Sequence, residues 1–295
     1  MDSEVTAGVL ARPRLHRDAG DAAHGHAIVR RARRVAPALR ALAARAATLL
    51  SYAALPAALL ACWQLAAARE WISPLILPSP ALVLRTLREL WGDGTLAAHL
   101  AASAARVARG FGIGATVGLA LGTALGVSAT FRAWVQPTLL AVHQVNIIAW
   151  IPLLVLALGI DEALKTAAIA YASVLPVAVN TARGIAGVPA PWLELGRAHQ
   201  LRRHEIVARI AIPAALPSLF TGLRSGLGAA WISLVAVEMV ASSEGVGFMV
   251  VWGRQLFQLE LVLAAIVVIG SVGLGLDLAL SAIERRLRQW QRAAF

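Results

Sequence analysis

The sequence predicts an all-α polytopic membrane protein with six transmembrane helices and a cytoplasmic loop between the fourth and fifth spans. Three observations predict it. The 295 residues are 59% apolar and 15% charged, with a mean hydropathy of +0.70, too few charges to cover a soluble globule of that size. Charge-free windows run from Ala46 to Ala68, Gly110 to Phe131 and Ala133 to Ile160, each near or above the roughly 20 residues that cross hydrocarbon. The basic residues also sort by side once six spans are drawn, and their asymmetry is what orients a chain in a membrane.

Residues 1–46 are rich in arginine and alanine, with Arg30, Arg31, Arg33, Arg34, Arg40 and Arg45 near their end, and read as a basic, disordered cytoplasmic tail. A cleaved secretory signal is disfavoured: the apolar run that follows is about twice the length of an h-region and begins far into the chain. His24 and His26 lie in this tail with no further ligand type beside them, so no metal site is expected. The single cysteine, Cys62, excludes an intrachain disulfide and any cysteine-based metal site.

Spans are predicted at 47–68, 97–128, 134–158, 164–185, 213–240 and 258–282, giving a transmembrane domain over 47–283 and a second basic tail at 284–295. With the N-terminus inside, nineteen of the 27 Lys and Arg fall on the cytoplasmic side and seven outside, with Arg224 inside the fifth span. Both termini are then cytoplasmic. The formal charge of +11 thus flanks membrane spans and does not form the basic face of a soluble module, so no nucleic-acid partner is expected.

After the first span, Trp71 to Pro80 holds three prolines and leads into an amphipathic segment, Leu82 to Trp91, with Leu87, Leu90 and Trp91 toward one side, expected to lie at the interface. Trp63, Trp71, Trp91, Trp134, Trp150 and Trp252 fall mostly near span ends and read as an aromatic belt. The second span carries Gly110, Gly114, Gly118, Gly122 and Gly126. A glycine every fourth residue lines one helix face and predicts close approach by a neighbouring helix.

Polar residues retained inside spans tend to face a cavity or a partner. His143 and Asn146 in the third span, Asn180 in the fourth, and Ser233 and Glu238 in the fifth are therefore the candidate translocation-path residues. His143 and Asn146 should be neighbours on one helix face, with Gln144 turned about 100° away. Glu238, near the outer end of its span, would repel an anion and suits a gate or structural role. Arg224 is the better anion-attracting group, with packing or snorkelling toward the cytoplasmic interface as its ordinary role.

Residues 187–213 are not a random polar loop. Pro189 and Pro191 suit a helix start, Glu194 is expected in the first turn, and Ile206, Val207 and Ile210 give a second short helix an apolar side. Two short helices joined near Gln200 and Leu201 project from a membrane-buried protein, a shape that suits docking to a soluble partner or resting on lipid headgroups.

The order Glu194, Arg197, Ile210, Ile212, Pro213, then Pro217, Gly222, Arg224, Gly228, Trp231 and Glu238, resembles the EAA motif of permease subunits of binding-protein-dependent ABC importers. Trp150-Ile-Pro152, Leu158-Gly-Ile-Asp-Glu162 and Ile76-Leu-Pro78-Ser-Pro80 are similar to the sulfonate/nitrate/taurine class, over roughly residues 50 to 290. The resemblance implies a homodimer in the bacterial inner membrane, two cytoplasmic ATPase subunits and a periplasmic or lipid-anchored binding protein. Glu194, Gly196, Arg197, Gln200, Ile210 and Pro213 would form the joint with the ATPase. It implies passage of a small anion (alkanesulfonate, taurine or nitrate), with a thiamine precursor or other heterocycle as the alternative. Leu195-Gly196 stands where the family has Ala-Ala, Gln200 where it has a glycine, and Asn146 where it has a proline.

No catalytic residue is expected on this chain. A phosphate-binding loop ends in Gly-Lys-Ser/Thr, yet Lys165 follows Leu164 and is the sole lysine, so ATP and Mg belong to a partner. An intramembrane enzyme would show His-Glu-x-x-His or Gly-x-Ser-x-Gly, and neither occurs. A secondary transporter, the reading from another class, would show inverted repeats, and the halves show no convincing one.

Overall fold

The computed structural model describes residues 54–71, 73 and 76–294, with side chains to 286. The predicted 1–46 tail and the first residues of the first predicted span lie outside them. All regular structure among the described residues is helical. α1 (Ala54–Ala68) is a short apolar helix that falls mostly in a unit ending at Leu65, and the rest of the chain forms a second unit.

The first helix wholly within that second unit is α2 (Pro80–Gly92), whose start follows from its sequence: Ser79 Oγ accepts from the Leu82 amide at 3.3 Å and Pro80 takes the first helical position. Leu87 and Leu90 pack against Leu96, Met249 and Leu261. Trp91, expected beside them, is 65% exposed and turns away. The long α3 (Thr95–Val127) follows, then α4 (Ala129–His143), α5 (Ile147–Leu158) and α6 (Glu162–Ala186).

α6 is the centre of the unit, with α3 on one side and α9 (Ile212–Ala241) on the other. The glycine ladder explains the first contact. A Cβ at Gly110, Gly118 or Gly122 would come within 2.8 Å of atoms of Ile169, Val174 and Val177, or Ala178 and Thr181, and at Gly114 it would overlap Ser173 Oγ. Both helices therefore meet along rows spaced four residues apart, ridge into groove, at backbone distance. Gly112, off this row, faces open space.

Four stretches are long and apolar enough to cross a membrane: α3, α6, the run Arg203–Gln255 that contains α9, and Leu259–Arg286 of α11 (Leu259–Ala294). The predicted third span is not one straight helix. α4 and α5 meet at 91°, as a broken span or a re-entrant loop, giving up to five spans in all. The break has a local cause: Asn146 caps α5, its Oδ1 accepting from the Ile148 amide at 2.9 Å. Tyr171 on α6 donates to the carbonyls of Val142 (2.8 Å) and Val145 (3.2 Å) at the break, groups that hydrocarbon would leave unsatisfied.

Two further differences concern the outer loop and the last helix. The stretch between the fifth and sixth predicted spans contains α10 (Val246–Gln255), and α11 continues past 282, the predicted end of the sixth span.

Candidate functional site

The segment 187–213 forms α7 (Ala190–Ala198) and α8 (Arg203–Ile206), and α8 runs through one π-helical turn (Val207–Ala211) into α9. Pro189 precedes α7 and Pro191 sits at its second position, as the sequence predicts. Glu194 lies one turn later than expected, since α7 starts at Ala190. Gly196 is buried against Ile206 and Ile210, and a Cβ there would come within 2.7 Å of Ile210 Cδ1. Gly196 and Ile210 thus lock the two short helices together, while Glu194 and Arg197 are exposed and among the described residues make no ion pair.

Gln200 closes α7. Its φ is +54°, the Leu201 amide donates to Gly196 O at 3.1 Å and the Gln200 amide to Arg197 O at 2.9 Å, the paired bonds of a Schellman turn that favours glycine at this position. A left-handed non-glycine residue costs about 1–2 kcal/mol, and glycine's greater unfolded-state freedom offsets part of that. Gln200→Gly is expected to stabilise the chain by about 0.5–1 kcal/mol, read as a raised unfolding temperature in detergent. An unchanged or lowered temperature would show that Gln200 is held by something other than its backbone. Pro213, second residue of α9, directly follows the π-helical turn, and its missing amide removes one donor from the continuous α8–α9 run.

Of the five path candidates, three converge. A cleft of about 280 Å³ at the α4–α5 break is lined by His143, Asn146, Tyr171 and Ser233 together with Ile148 and Ile232. His143 and Asn146 reach it from opposite sides of the break and not from one helical face. Ser233 is buried and donates to Ala168 O at 3.1 Å. His143 packs on Tyr171, ring centroids 5.3 Å apart. Among the described residues no carboxylate lines the cleft. Tyr171 is the lining residue that sequence reasoning passed over; a lone tyrosine five residues before Pro176 gave no periodic signal.

Asn180 and Glu238 do not line the cleft. Asn180 donates to Pro176 O at 2.8 Å within α6. Glu238 is 1% exposed and its carboxylate accepts from Ser103 Oγ (2.8 Å), the Gly247 amide (2.9 Å) and Arg106 Nη1 (2.9 Å). Arg106 is itself 1% exposed. Its Nε and Nη2 donate to Glu162, Nη2 also to Glu244 Oε1 at 2.6 Å, and Nη1 also to Glu244 O at 2.9 Å, so each guanidinium N–H has an acceptor. Lys165 Nζ donates to Glu162 at 2.8 Å and Arg109 stands 3.5 Å from the same carboxylate. Three cations and three carboxylates thus tie α3, α6, α9 and the 242–245 turn together.

The charge sorting assigns no partner to Arg106 or Lys165. The available signal was one arginine ten residues into an apolar helix and one glutamate in another, since buried charges require partners.

Arg224 is likewise not free to attract an anion. Its Nε and Nη2 meet Asp277 at 2.8 and 2.9 Å and its Nη1 meets Glu284 at 2.9 Å, joining α9 to α11.

The family described as "Binding-protein-dependent transport system inner membrane component" matches residues 114–289. The chain is 36% identical over 239 residues to the aliphatic sulfonates transport permease protein SsuC of Bacillus subtilis (strain 168), covering 81% of this chain and 87% of that protein. It is also 36% identical over 239 residues to the taurine transport system permease protein TauC of Escherichia coli (strain K12), covering 79% and 87%. The fold is similar to a chain of the MetNI methionine ABC transporter in inward-facing conformations, at TM-score 0.57 and 17% identity over 68% of this chain and 98% of that one. Together with the membrane-length helices, these likenesses mean that the chain belongs to the inner-membrane components of binding-protein-dependent transport systems, as the non-catalytic, membrane-spanning permease subunit of an ABC transporter.

Proposed function

We propose that this permease carries a small organic anion, an alkanesulfonate or taurine, through a path that includes the cleft at the α4–α5 break. The observation that carries this reading is the composition of that cleft: His143, Asn146, Tyr171 and Ser233 over an apolar wall, with no carboxylate among the described residues to repel an anion. The named substrates of the sulfonate and taurine relatives support it, and nitrate is the inorganic member of the same class.

In this reading two copies pair around the path, each with six spans and both termini cytoplasmic. α7 and α8 act as coupling helices docked on two cytoplasmic ATPase subunits, which hold ATP and Mg, while an outer binding protein hands over the substrate. Exposed Glu194 and Arg197 supply polar contacts to the ATPase. Buried Gly196 and half-buried Ile210 make the hairpin rigid enough to move as one piece, and the continuous passage from α8 into α9 carries that movement to Ser233 on the cleft. The basic segments 1–46 and 284–295 face the same side and its anionic lipid.

Uptake by proteoliposomes containing the whole transporter tests this. Taurine or an alkanesulfonate is expected to accumulate only with ATP inside and binding protein outside. Accumulation of a thiamine precursor with sulfonates ignored would overturn the anion assignment.

A further inference from the structure

A second polar crevice, of about 150 Å³, lies at the opposite end of α3 and α6 from the Arg106 cluster, lined by Leu125, Arg132, Gln136, Val179, Ala182 and Arg183 together with Ala186. It opens between the last turns of α3 and α6 and the first turns of α4, at the end of the unit from which α7 and α8 project. Among the described residues its lining contains two guanidinium groups, one amide and no carboxylate.

The two arginines are placed differently. Arg132 is fixed: its Nε donates to Leu125 O at 2.7 Å and its Nη2 to Gly126 O at 2.9 Å, which leaves Nη1 without an acceptor among the described residues. Because these bonds go to neutral carbonyls, the positive charge is not cancelled. Arg183, in the last turn of α6, is exposed and among the described residues has neither an ion pair nor a side-chain hydrogen bond. A fixed and a free guanidinium with an amide between apolar walls suit a tetrahedral oxyanion carrying an apolar body. Arginine matches phosphate geometry, and a fixed donor loses little freedom on binding.

We infer that this crevice binds the phosphate of an anionic phospholipid, with its acyl chain along the Val179 and Ala186 side. The lipid source is favoured over free phosphate because α3 and α6 are long and apolar enough to cross a membrane, which brings their last turns, beside the first turns of α4, to headgroup depth, and basic crevices between spans on the cytoplasmic side are where anionic headgroups are held.

The test is native mass spectrometry of the full chain, exchanged into mixed micelles of phosphatidylglycerol and phosphatidylcholine, with inorganic phosphate as a separate arm. The wild type is expected to keep a phosphatidylglycerol in preference to phosphatidylcholine. Arg132→Gln/Arg183→Gln should lower that retention roughly tenfold or more, and Arg132→Lys/Arg183→Lys should restore part of it, separating lost charge from lost fold. Equal retention of both lipids, or retention unaffected by the Gln pair, would overturn the inference. Displacement of the lipid by millimolar inorganic phosphate would overturn the lipid source. If the Gln pair leaves lipid bound but weakens ATPase co-purification, the crevice belongs to the protein partner instead and the inference also falls.

Discussion

Arg106→Met is expected to destabilise the permease by about 3–5 kcal/mol, the usual effect of removing one partner of a buried ion pair. The magnitude comes from what remains. Glu238 keeps its bonds to Ser103 Oγ and the Gly247 amide but loses Arg106, its one ion-pair partner among the described residues, while 1% exposed. Glu162 retains Lys165 and Arg109 and is partly exposed, so it suffers less. Arg106→Lys should recover only a fraction, because one ammonium cannot reach Glu162, Glu238 and the Glu244 carbonyl together. Adding Glu238→Gln to Arg106→Met should return part of the loss, since a neutral amide tolerates burial where an unpaired carboxylate does not. Thermal unfolding of the three variants beside the wild type in detergent reads this directly. A double variant no better than Arg106→Met would show that the geometry of the cluster, and not the buried charge of Glu238, governs stability.

Gly122→Leu is expected to be comparably severe for a different reason. A Cβ at Gly122 would sit 2.5 Å from Ala178 O and 2.6 Å from Thr181 Cβ, and a backbone carbonyl cannot swing away as a side-chain tip can. Overpacking costs about 1–3 kcal/mol or more, and the strain falls on the interface that joins α3 to the central helix. Gly112→Leu, one position type away on the same helix but facing open space, should be tolerated. Yield of monodisperse protein and unfolding temperature separate the two. Equal tolerance at both positions would mean that α3 and α6 do not meet through the glycine face.

The helices were legible because lipid forces a simple code: long apolar runs, glycines every fourth residue, prolines and caps at the ends. Gly110 to Gly126 specified their own interface, and Pro189 and Pro191 marked the start of α7. The bend at 144–146 was not read, because Asn146 was treated as a polar group in a span when its side chain serves as a helix cap. α10 was missed for a related reason, since its short apolar run has no length signal of its own.

The candidate cleft was half legible. His143, Asn146 and Ser233 stood out as polar residues in apolar surroundings, but their convergence depends on the 91° turn, which no spacing rule supplies. Glu238 and Arg224 carried the same polarity signal and proved to be paired internally. One sequence cannot distinguish a charge that faces a path from one that meets a charge on another helix.

The most direct measurement is mass spectrometry of the proteins that co-purify with a tagged chain from mild-detergent membranes, comparing wild type with Glu194→Arg. Glu194 is exposed and without an ion-pair partner among the described residues, so its replacement should leave the unfolding temperature unchanged. If α7 and α8 are the coupling helices, an ATPase subunit accompanies the wild type and its recovery falls roughly tenfold or more with Glu194→Arg, where a like charge replaces a complementary one. An intact wild type with no ATPase, or equal recovery with both chains, would contradict the docking of this hairpin on the ATPase.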